Sequence, residues 1–330
     1  MSVHCKIRRP RPGLLQATLL SLLLAPLIGS DSQAAEPAQI SGFGSNPGNL
    51  EMWVVAPQNL PESPPLVVAL HGCTVHAAEY AAFTGWTDLA ASQGFVLLLP
   101  ETSKKNNPQL CFRWFDPSQA SRGSGEAESI VQMIDHLHET LAFDRSRVFV
   151  TGHSAGGGMT AVMLATYPDR FAGGSIIAGI PFRCATNSFM AMGCMTGLAV
   201  NRSAKKWLAY VRQASSHTGP WPRVQLWHGG RDPVVNVLNG KALTEQWTAV
   251  HGIDSNPEVQ ETVKGSEYRG YKDAAGNLVV ESYLLKDMKH TVPIDPGPNQ
   301  DQCGSPNQHA SAVGICSSYY ATRFWGMVAE

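Results

Sequence analysis

The 330-residue chain has no excess of charge of either sign, since 25 Lys and Arg residues nearly balance 26 Asp and Glu residues, for a formal net charge of -1. Binding to nucleic-acid phosphates requires a surplus of basic residues, so we expect no nucleic-acid partner. The chain also lacks a CxxC pair, and its 11 histidines are scattered, which argues against a zinc site. We therefore expect neither a bound metal ion nor a cofactor.

Long apolar runs are absent except near the amino terminus. Four basic residues between Lys6 and Arg11 precede an apolar run over residues 14–28, and small and polar residues follow as far as Ala34. This pattern is typical of a secretory signal peptide, and the run is short for a membrane span. We expect residues 1–34 to be a signal peptide and the rest to have no membrane span. The protein is then secreted or periplasmic.

Six of the seven cysteines lie beyond that segment, an even number in a chain bound for an oxidising compartment. Pairing by sequence proximity closes two short loops and leaves one longer loop: Cys184–Cys194, Cys303–Cys316 and Cys73–Cys111.

Predicted strands and helices alternate along the remaining chain. The predicted strands cover residues 51–55, 66–70, 95–99, 174–178 and 223–227, and a β-rich region covers residues 259–285. The predicted helices cover residues 77–92, 126–141, 242–251 and 317–328. Such alternation predicts an α/β fold with a mostly parallel central sheet covered by helices on both faces. We expect residues 35–330 to form one domain.

The run RVFVTGHSAGGGM at residues 147–159 reads as a buried strand, a sharp turn carrying Ser154, and the start of an apolar helix. This is the local context of a nucleophile elbow. A side chain at Gly152 or Gly156 would collide with the opposite arm of the turn. Ser154 is therefore the candidate nucleophile, exposed at the carboxyl end of a strand.

A serine nucleophile needs a histidine base and an acid that orients it, and after an elbow the order along the chain is serine, acid, histidine. The segment HGGRDPVV places Asp232 in the turn after a predicted strand. The segment KDMKHTVPID places His290 in a loop after the β-rich region. Asp232 and His290 are therefore the predicted acid and base.

An oxyanion hole needs two backbone N–H groups directed at the developing alkoxide. One is predicted at Ala155, directly after the nucleophile and at the start of a helix. The other is predicted at Cys73 in the run LHGCT, where His71 braces the loop and a disulfide to Cys111 holds it rigid.

Two regions interrupt the alternation and could overhang the active site: residues 102–125, with Trp114, and residues 181–221, with Trp221. Ordinary packing under a long loop is the alternative for both side chains. His153 adjoins the nucleophile and is expected to point to the other side of the elbow. Trp114, His153 and Trp221 are the candidate substrate-binding residues.

Six runs of the chain are distinctive: LHGCT, CFRWFDP, RGSGEAESI, VTGHSAGGGMTAVMLATYPDRFAG, HGGRDPVV and GICSSYYATRFW. In these runs the chain resembles the esterase and polyhydroxybutyrate depolymerase family, which includes feruloyl and acetylxylan esterases. The resemblance implies an α/β-hydrolase with Ser154, Asp232 and His290 as the catalytic triad, and with Cys73 and Ala155 as oxyanion donors.

The resemblance and the motifs together predict an exported serine carboxylester hydrolase that works through an acyl-enzyme. A poly(3-hydroxybutyrate) depolymerase-like esterase, acting on short 3-hydroxyalkanoate esters or polymer, is the leading hypothesis. A feruloyl or acetylxylan esterase is the alternative, and an inactive hydrolase fold that binds a ligand is an alternative of another class. No separate polymer-binding domain is expected, and the sequence leaves the oligomeric state open.

Overall fold

The computed structural model describes residues 1–2 and 35–328, so the predicted signal peptide lies outside the described residues. The described residues from Ala35 onward belong to one compact unit. Within these residues, no helix has both the length and the apolar character needed to cross a membrane.

The described chain contains one ten-stranded sheet and one two-stranded sheet. Their strands, in chain order, are β1 (Ala38–Ile40), β2 (Glu51–Val55), β3 (Leu66–Leu70), β4 (Val96–Glu101), β5 (Val148–His153), β6 (Gly173–Ile177), β7 (Arg223–Gly229), β8 (Val259–Val263), β9 (Ser266–Lys272), β10 (Leu278–Leu285), β11 (Val292–Ile294) and β12 (Ala310–Ala312). The helices are α1 (Ala77–Phe83), α2 (Trp86–Gln93), α3 (Gly125–Thr140), α4 (Ala155–Thr166), α5 (Ser188–Met195), α6 (Ala204–Arg212), α7 (Leu238–Val250) and α8 (Ser317–Phe324).

The large sheet has the order β1-β2-β4-β3-β5-β6-β7-β10-β9-β8. Its central strands, from β4 to β10 in that order, pair in parallel, and antiparallel strands flank them on both sides. The chain reverses its direction of travel across the sheet between β3 and β5. In such a sheet the carboxyl ends of the strands at this switch point open a crevice for ligands. The loops after β3 and β5 therefore define where a site can lie.

Alternate residues of the central strands are divided between two cores, because successive side chains of a strand point to opposite faces. Leu66, Val68 and Leu70 of β3 pack in the core that also contains buried side chains of α3, α4, α6 and α7. Val67 and Ala69 pack in the core formed with α1, α2 and α8. Burial on both faces explains why the strand reads as a continuous apolar run.

The predicted helix over residues 77–92 is wrong in one respect, because the structure divides it into α1 and α2. The break lies at Gly85, which has a φ of 77°. A Cβ at this position would lie 2.7 Å from the Cβ of Cys303, so the chain turns where the Cys303 segment packs against it. The second interrupting region, over residues 181–221, contains α5 and α6.

Candidate active site

The elbow is a strained turn between β5 and α4. Ser154 has φ 59° and ψ -118°, a conformation that L-residues adopt only under constraint. A Cβ on Gly152 would lie 2.4 Å from the carbonyl oxygen of Gly156, and a Cβ on Gly156 would lie 2.1 Å from that of Leu70. The two glycines are therefore sterically required. They allow the strand and the helix to approach closely enough to present the serine hydroxyl at the carboxyl edge of the sheet.

Asp232 lies in the loop after β7, with its side chain fully buried. Its Oδ1 accepts hydrogen bonds from the backbone N–H groups of Val234 and Val235, each at 2.8 Å. Burial alone would raise the pKa of this carboxyl group. The hydrogen bond and charge of His290, together with the two N–H donors, outweigh burial, and the pKa of Asp232 lies below its ordinary value. The side chain is therefore an ionised, fixed acceptor.

His290 connects the acid to the nucleophile. Its Nδ1 lies 2.6 Å from Oδ2 of Asp232, and its Nε2 lies 2.9 Å from Oγ of Ser154. Because a carboxylate can only accept, Nδ1–H donates to Asp232, which leaves Nε2 to accept the serine O–H. The three side chains thus form a hydrogen-bonded chain in which Nε2 can take the serine proton.

The loops carrying the acid and the base are fastened to each other. The N–H of Gly230 donates to the carbonyl of Leu285 at 2.9 Å, and the N–H of Arg231 donates to that of Met288 at 3.0 Å. These bonds hold the loop after β7 against the loop after β10, because the two strands are parallel neighbours in the sheet. The separation between Asp232 and His290 is therefore set by backbone contacts as well as by their own hydrogen bond.

Cys73 and Ala155, the predicted oxyanion donors, line the same cavity as Ser154. In the described part of the chain, neither N–H donates a hydrogen bond to another residue. Ala155 is the first residue of α4, where the helix dipole favours negative charge. Two residues that line the cavity with Ser154 thus have backbone N–H groups without a hydrogen-bond partner in the described chain, and an oxyanion hole needs two such donors.

The loop that carries Cys73 is braced from three directions. A disulfide joins Cys73 to Cys111, and the N–H of Thr74 donates to the carbonyl of Gln109 at 2.6 Å. The buried imidazole of His71 donates from Nδ1 to the carbonyl of Gly72 at 2.8 Å and accepts at Nε2 from a backbone N–H at 3.3 Å. Burial lowers the pKa of His71 to about 4, so the ring is neutral. A neutral imidazole can donate from Nδ1 and accept at Nε2 at the same time.

The structure contains two further disulfides, Cys184–Cys194 and Cys303–Cys316. With Cys73–Cys111, these are the three pairs expected from sequence spacing. Among the described residues, no group of three His, Cys, Asp or Glu side chains is arranged to hold a metal ion.

The cavity above Ser154 has a volume of about 440 Å³, and no Asp, Glu, Lys or Arg side chain lines it. Its walls are largely apolar and come from both interrupting regions and the acid loop: Trp114, Phe115, Ala191, Met192, Met195 and Val234. Trp114 is 8% exposed and lies edge-on to Phe115, with ring centroids 5.4 Å apart. Trp114 therefore lies where the sequence analysis expects a substrate contact.

His153 is expected to point to the other side of the elbow, but it points into the cavity. Its ring lines the cavity and lies beside His290, with ring centroids 4.8 Å apart. Burial, and then the proximity of His290 and His309, hold the pKa of His153 well below its ordinary value, so this ring is neutral. In the chain from Ala35 to Val328, its Nε2 has no hydrogen-bond partner. His153 therefore lies in the wall of the cavity as a buried, neutral ring beside the base.

Trp221, the third candidate substrate-binding residue, does not line this cavity. Its ring packs edge-on against His217 and lies under the guanidinium of Arg212, 5.1 Å from the ring centroid. Trp221 comes just before β7 begins, so it lies at the amino edge of the parallel sheet, opposite the edge that carries Ser154.

His309 lines the cavity, although the sequence gives no local motif for it. It is brought there by the two-stranded sheet, because the N–H of Val292, two residues after His290, donates to the carbonyl of His309 at 2.8 Å. The signal that could have identified it is the pairing of β11 with β12, which is a long-range contact between short strands.

A strained serine elbow, a hydrogen-bonded histidine and aspartate, and a sheet with this strand order define an α/β-hydrolase. The family model described as "Esterase PHB depolymerase" matches residues 52–264, and the chain belongs to this family. Its members are carboxylic ester hydrolases, and this chain is an enzyme of that class.

The relatives are named for different ester substrates. Poly(3-hydroxyalkanoate) depolymerase C of Paucimonas lemoignei is 43% identical over 329 residues, which is 99% of this chain and 79% of that protein. Feruloyl esterase B of Talaromyces stipitatus is 32% identical over 84% of this chain and 77% of its own length. The solved structure of an acetyl xylan esterase from Aspergillus awamori has a TM-score of 0.75 at 26% identity, over 88% of this chain and 99% of that one.

Proposed function

We propose that this protein is an exported serine esterase that hydrolyses short 3-hydroxyalkanoate esters or the polymer poly(3-hydroxybutyrate) through an acyl-enzyme at Ser154. The observation that carries the proposal is the hydrogen-bonded chain from Ser154 through His290 to Asp232, with distances of 2.9 and 2.6 Å, at the base of an uncharged cavity.

In the acylation step, Oγ of Ser154 attacks the ester carbonyl carbon while Nε2 of His290 accepts the serine proton. The carbonyl oxygen becomes an oxyanion, which accepts hydrogen bonds from the N–H groups of Cys73 and Ala155. Ionised Asp232 stabilises the imidazolium that forms. The carbon–oxygen bond to the alcohol then breaks, and the imidazolium protonates the departing alkoxide, leaving an acyl-serine.

In the deacylation step, water takes the place of the alcohol. His290 removes a proton from the water as its oxygen attacks the acyl carbon, and the same two N–H groups hold the second oxyanion. Collapse releases the carboxylic acid and returns the proton to Oγ of Ser154. The cycle uses only side chains and backbone groups of this chain together with water.

A short, uncharged acyl group is supported by the cavity itself. No Asp, Glu, Lys or Arg side chain lines it, and its walls are largely apolar. A neutral aliphatic ester enters such a cavity without leaving a charge unpaired. The 43% identity to a poly(3-hydroxyalkanoate) depolymerase supports the 3-hydroxyalkanoate class.

A feruloyl esterase is the second candidate, because Trp114 and Phe115 give the cavity an aromatic wall against which a cinnamoyl ring could pack. The relatives named feruloyl esterase B support this alternative. Export is supported by the three disulfides, since disulfides persist in oxidising compartments.

The test is a substrate panel measured with the wild-type protein and the Ser154→Ala variant. We expect the wild type to release 3-hydroxybutyrate from its methyl ester and from amorphous polymer with a higher kcat/KM than it releases ferulate from methyl ferulate. Ser154→Ala should lose at least about 10³-fold in kcat on every ester, because the nucleophile is gone. Preferential release of ferulate would favour the second candidate, and undiminished activity of Ser154→Ala would refute both.

A further inference from the structure

A second cavity, with a volume of about 220 Å³, lies between α7 and the strands β7, β9 and β10. Its apolar lining includes Leu226 of β7, Tyr271 of β9, Leu284 of β10 and Val237 just before α7. Among the described residues, none lines both this cavity and the one above Ser154. We call it the α7 cavity. The reaction at Ser154 does not use it.

The charged side chains that line the α7 cavity cancel one another. They are two bases and two acids. Nζ of Lys241 lies 3.8 Å from Oε1 of Glu245 on the next turn of α7, and the guanidinium of Arg269 donates to the carboxylate of Glu267 on β9. Because the two pairs leave no surplus of either sign, an ion entering the cavity would lose hydration without gaining an unpaired counter-charge. The cavity therefore favours a neutral ligand.

His228 of β7 is a buried polar group in the lining of the cavity, 4% exposed. Its Nε2 lies 2.8 Å from the carbonyl oxygen of Val235, and a carbonyl can only accept, so Nε2 carries the hydrogen. Burial lowers the pKa of His228, so the ring is neutral and Nδ1 is an acceptor. Nδ1 has no hydrogen-bond partner among the described residues. A buried acceptor of this kind costs free energy until a donor reaches it.

Gly240 leaves one side of this imidazole uncovered. The residue is in the first turn of α7 and also lines the cavity. A Cβ at this position would lie 3.2 Å from Nδ1 of His228, so a side chain here would stand against the acceptor nitrogen. The glycine therefore keeps the approach to Nδ1 clear for a small group such as a hydroxyl.

We infer that the α7 cavity is a second ligand site, which takes a small neutral molecule with an apolar body and one hydroxyl group, an alcohol or a phenol. The apolar lining receives the body, and the hydroxyl donates to Nδ1 of His228. An apolar cavity of about 150 Å³ holds benzene, so this cavity accepts a six-membered ring with a few further atoms. The inference goes beyond the proposed function and holds for any ester substrate, since ester hydrolysis always releases an alcohol.

The α7 cavity also adjoins the proposed catalytic acid. Nε2 of His228 lies 3.8 Å from Oδ2 of Asp232, and the N–H of Val235 donates to Oδ1 at 2.8 Å. A hydrogen bond to Nδ1 makes the Nε2–H group more positive, because linked hydrogen bonds polarise one another. The carboxylate beside it then stabilises the His290 imidazolium less. Occupancy should therefore lower kcat and leave KM unchanged, because the cavity above Ser154 stays open.

The first test compares three probes on the wild-type protein by isothermal titration calorimetry. 4-Methylphenol and anisole are isomers of similar size and polarity, and only the phenol has an O–H to donate. We expect one 4-methylphenol per chain, and a Kd for anisole weaker by about fivefold or more, because anisole leaves Nδ1 unpaired. Benzoate, which is charged, should bind more weakly than either.

The second test fills the cavity. Thr244→Leu enlarges a side chain of its lining, and Thr140→Leu is the matched control on the exposed end of α3. Each threonine hydroxyl donates at 3.0 Å to the carbonyl four residues earlier in its helix, so both variants lose the same hydrogen bond. Only Thr244→Leu should weaken 4-methylphenol binding, by about tenfold or more. Thermal unfolding reports that both variants are folded.

Nitrogen NMR of protein labelled at histidine observes the contact itself. The unprotonated Nδ1 of His228, assigned by its absence from His228→Gln, should move upfield when 4-methylphenol binds, as an acceptor nitrogen does on gaining a hydrogen bond. In kinetics on p-nitrophenyl butyrate, the phenol should lower kcat of the wild type and of Thr140→Leu, and have no effect on kcat of Thr244→Leu.

Equal affinities for 4-methylphenol and anisole would overturn the proposal, and so would an Nδ1 resonance that stays in place while the phenol binds. Competitive inhibition that persists in Thr244→Leu would assign the phenol to the cavity above Ser154 and would also overturn it. Failure of the proposed function is distinguishable, because the binding and NMR measurements need no ester.

Discussion

Glu126 should make the stability of the fold fall as the pH rises. The residue is in the first turn of α3 and is fully buried. Its Oε2 accepts the N–H of Arg113 at 2.7 Å, which ties the loop carrying Trp114 to the helix. Its Oε1 has no hydrogen-bond partner among the described residues. Burial raises the pKa of Glu126 from its usual 4.5 to about 8, so the carboxyl group is protonated at neutral pH.

The direction of this pH dependence of stability follows from proton linkage. Because the pKa of Glu126 is higher in the folded chain than in the unfolded chain, the folded state binds the proton more tightly. The resulting stabilisation is fully present below the unfolded pKa of 4.5 and is lost as the pH rises toward about 8. A shift of this size corresponds to a loss on the order of 5 kcal/mol in the free energy of unfolding. For a domain of this size, that is roughly 8–10 °C in Tm.

Glu126→Gln removes the titration while keeping an oxygen for the N–H of Arg113. We expect thermal unfolding followed by circular dichroism to give a variant Tm within about 2 °C of the wild type at pH 5, and a variant Tm higher by roughly 8 °C at pH 9. Glu139→Gln, at an exposed position on the same helix, is the control and should give the same small difference at both pH values. A constant difference between Glu126→Gln and the wild type from pH 5 to pH 9 would refute the reasoning.

Three further substitutions test the site and its supports. Replacing Cys73 and Cys111 together by Ser opens a loop of sequence separation 38; we expect about 4 kcal/mol less stability in urea unfolding and a lower kcat, because the loop that carries the proposed oxyanion donor loses its brace. Gly158→Ala places a Cβ 2.7 Å from Cγ of Trp114; it should lower stability by about 1–3 kcal/mol and raise KM for p-nitrophenyl butyrate more than for the acetate. Asp232→Asn should lower kcat by about 10⁴-fold with little change in Tm, since an amide can hold the wrong tautomer of the base. An Asp232→Asn enzyme with normal kcat, a Gly158→Ala enzyme with unchanged KM for both esters, or a disulfide-free variant that unfolds at the wild-type urea concentration would each contradict the corresponding role.

Those features of the site that depend on local backbone geometry could be predicted from the sequence. The elbow at Ser154 requires glycines at fixed offsets, and the acid and base follow strands in a fixed order, so Asp232 and His290 could be identified from chain order and context. The parallel sheet follows from the alternation of apolar strands with helices. These signals lie within short segments, which is why one sequence suffices to read them.

The cavity walls could not be predicted in the same way. His309 reaches the cavity only because β12 pairs with β11, and the break at Gly85 arises from packing against Cys303, which is more than 200 residues away in the chain. In the sequence, Trp221 and Trp114 have the same context, because both are in long interrupting regions. The two tryptophans differ in the edge of the sheet on which they lie. Trp114 follows the carboxyl end of a strand, whereas Trp221 precedes the amino end of one.

The most direct test of the central claim is to trap the acyl-enzyme. The wild-type protein is mixed with excess p-nitrophenyl butyrate, quenched in acid within the first turnover, and analysed by intact and peptide mass spectrometry. We predict one butyryl group per chain, on the peptide containing Ser154, and none in Ser154→Ala. A butyryl group on another residue, or continued turnover by Ser154→Ala, would contradict the account.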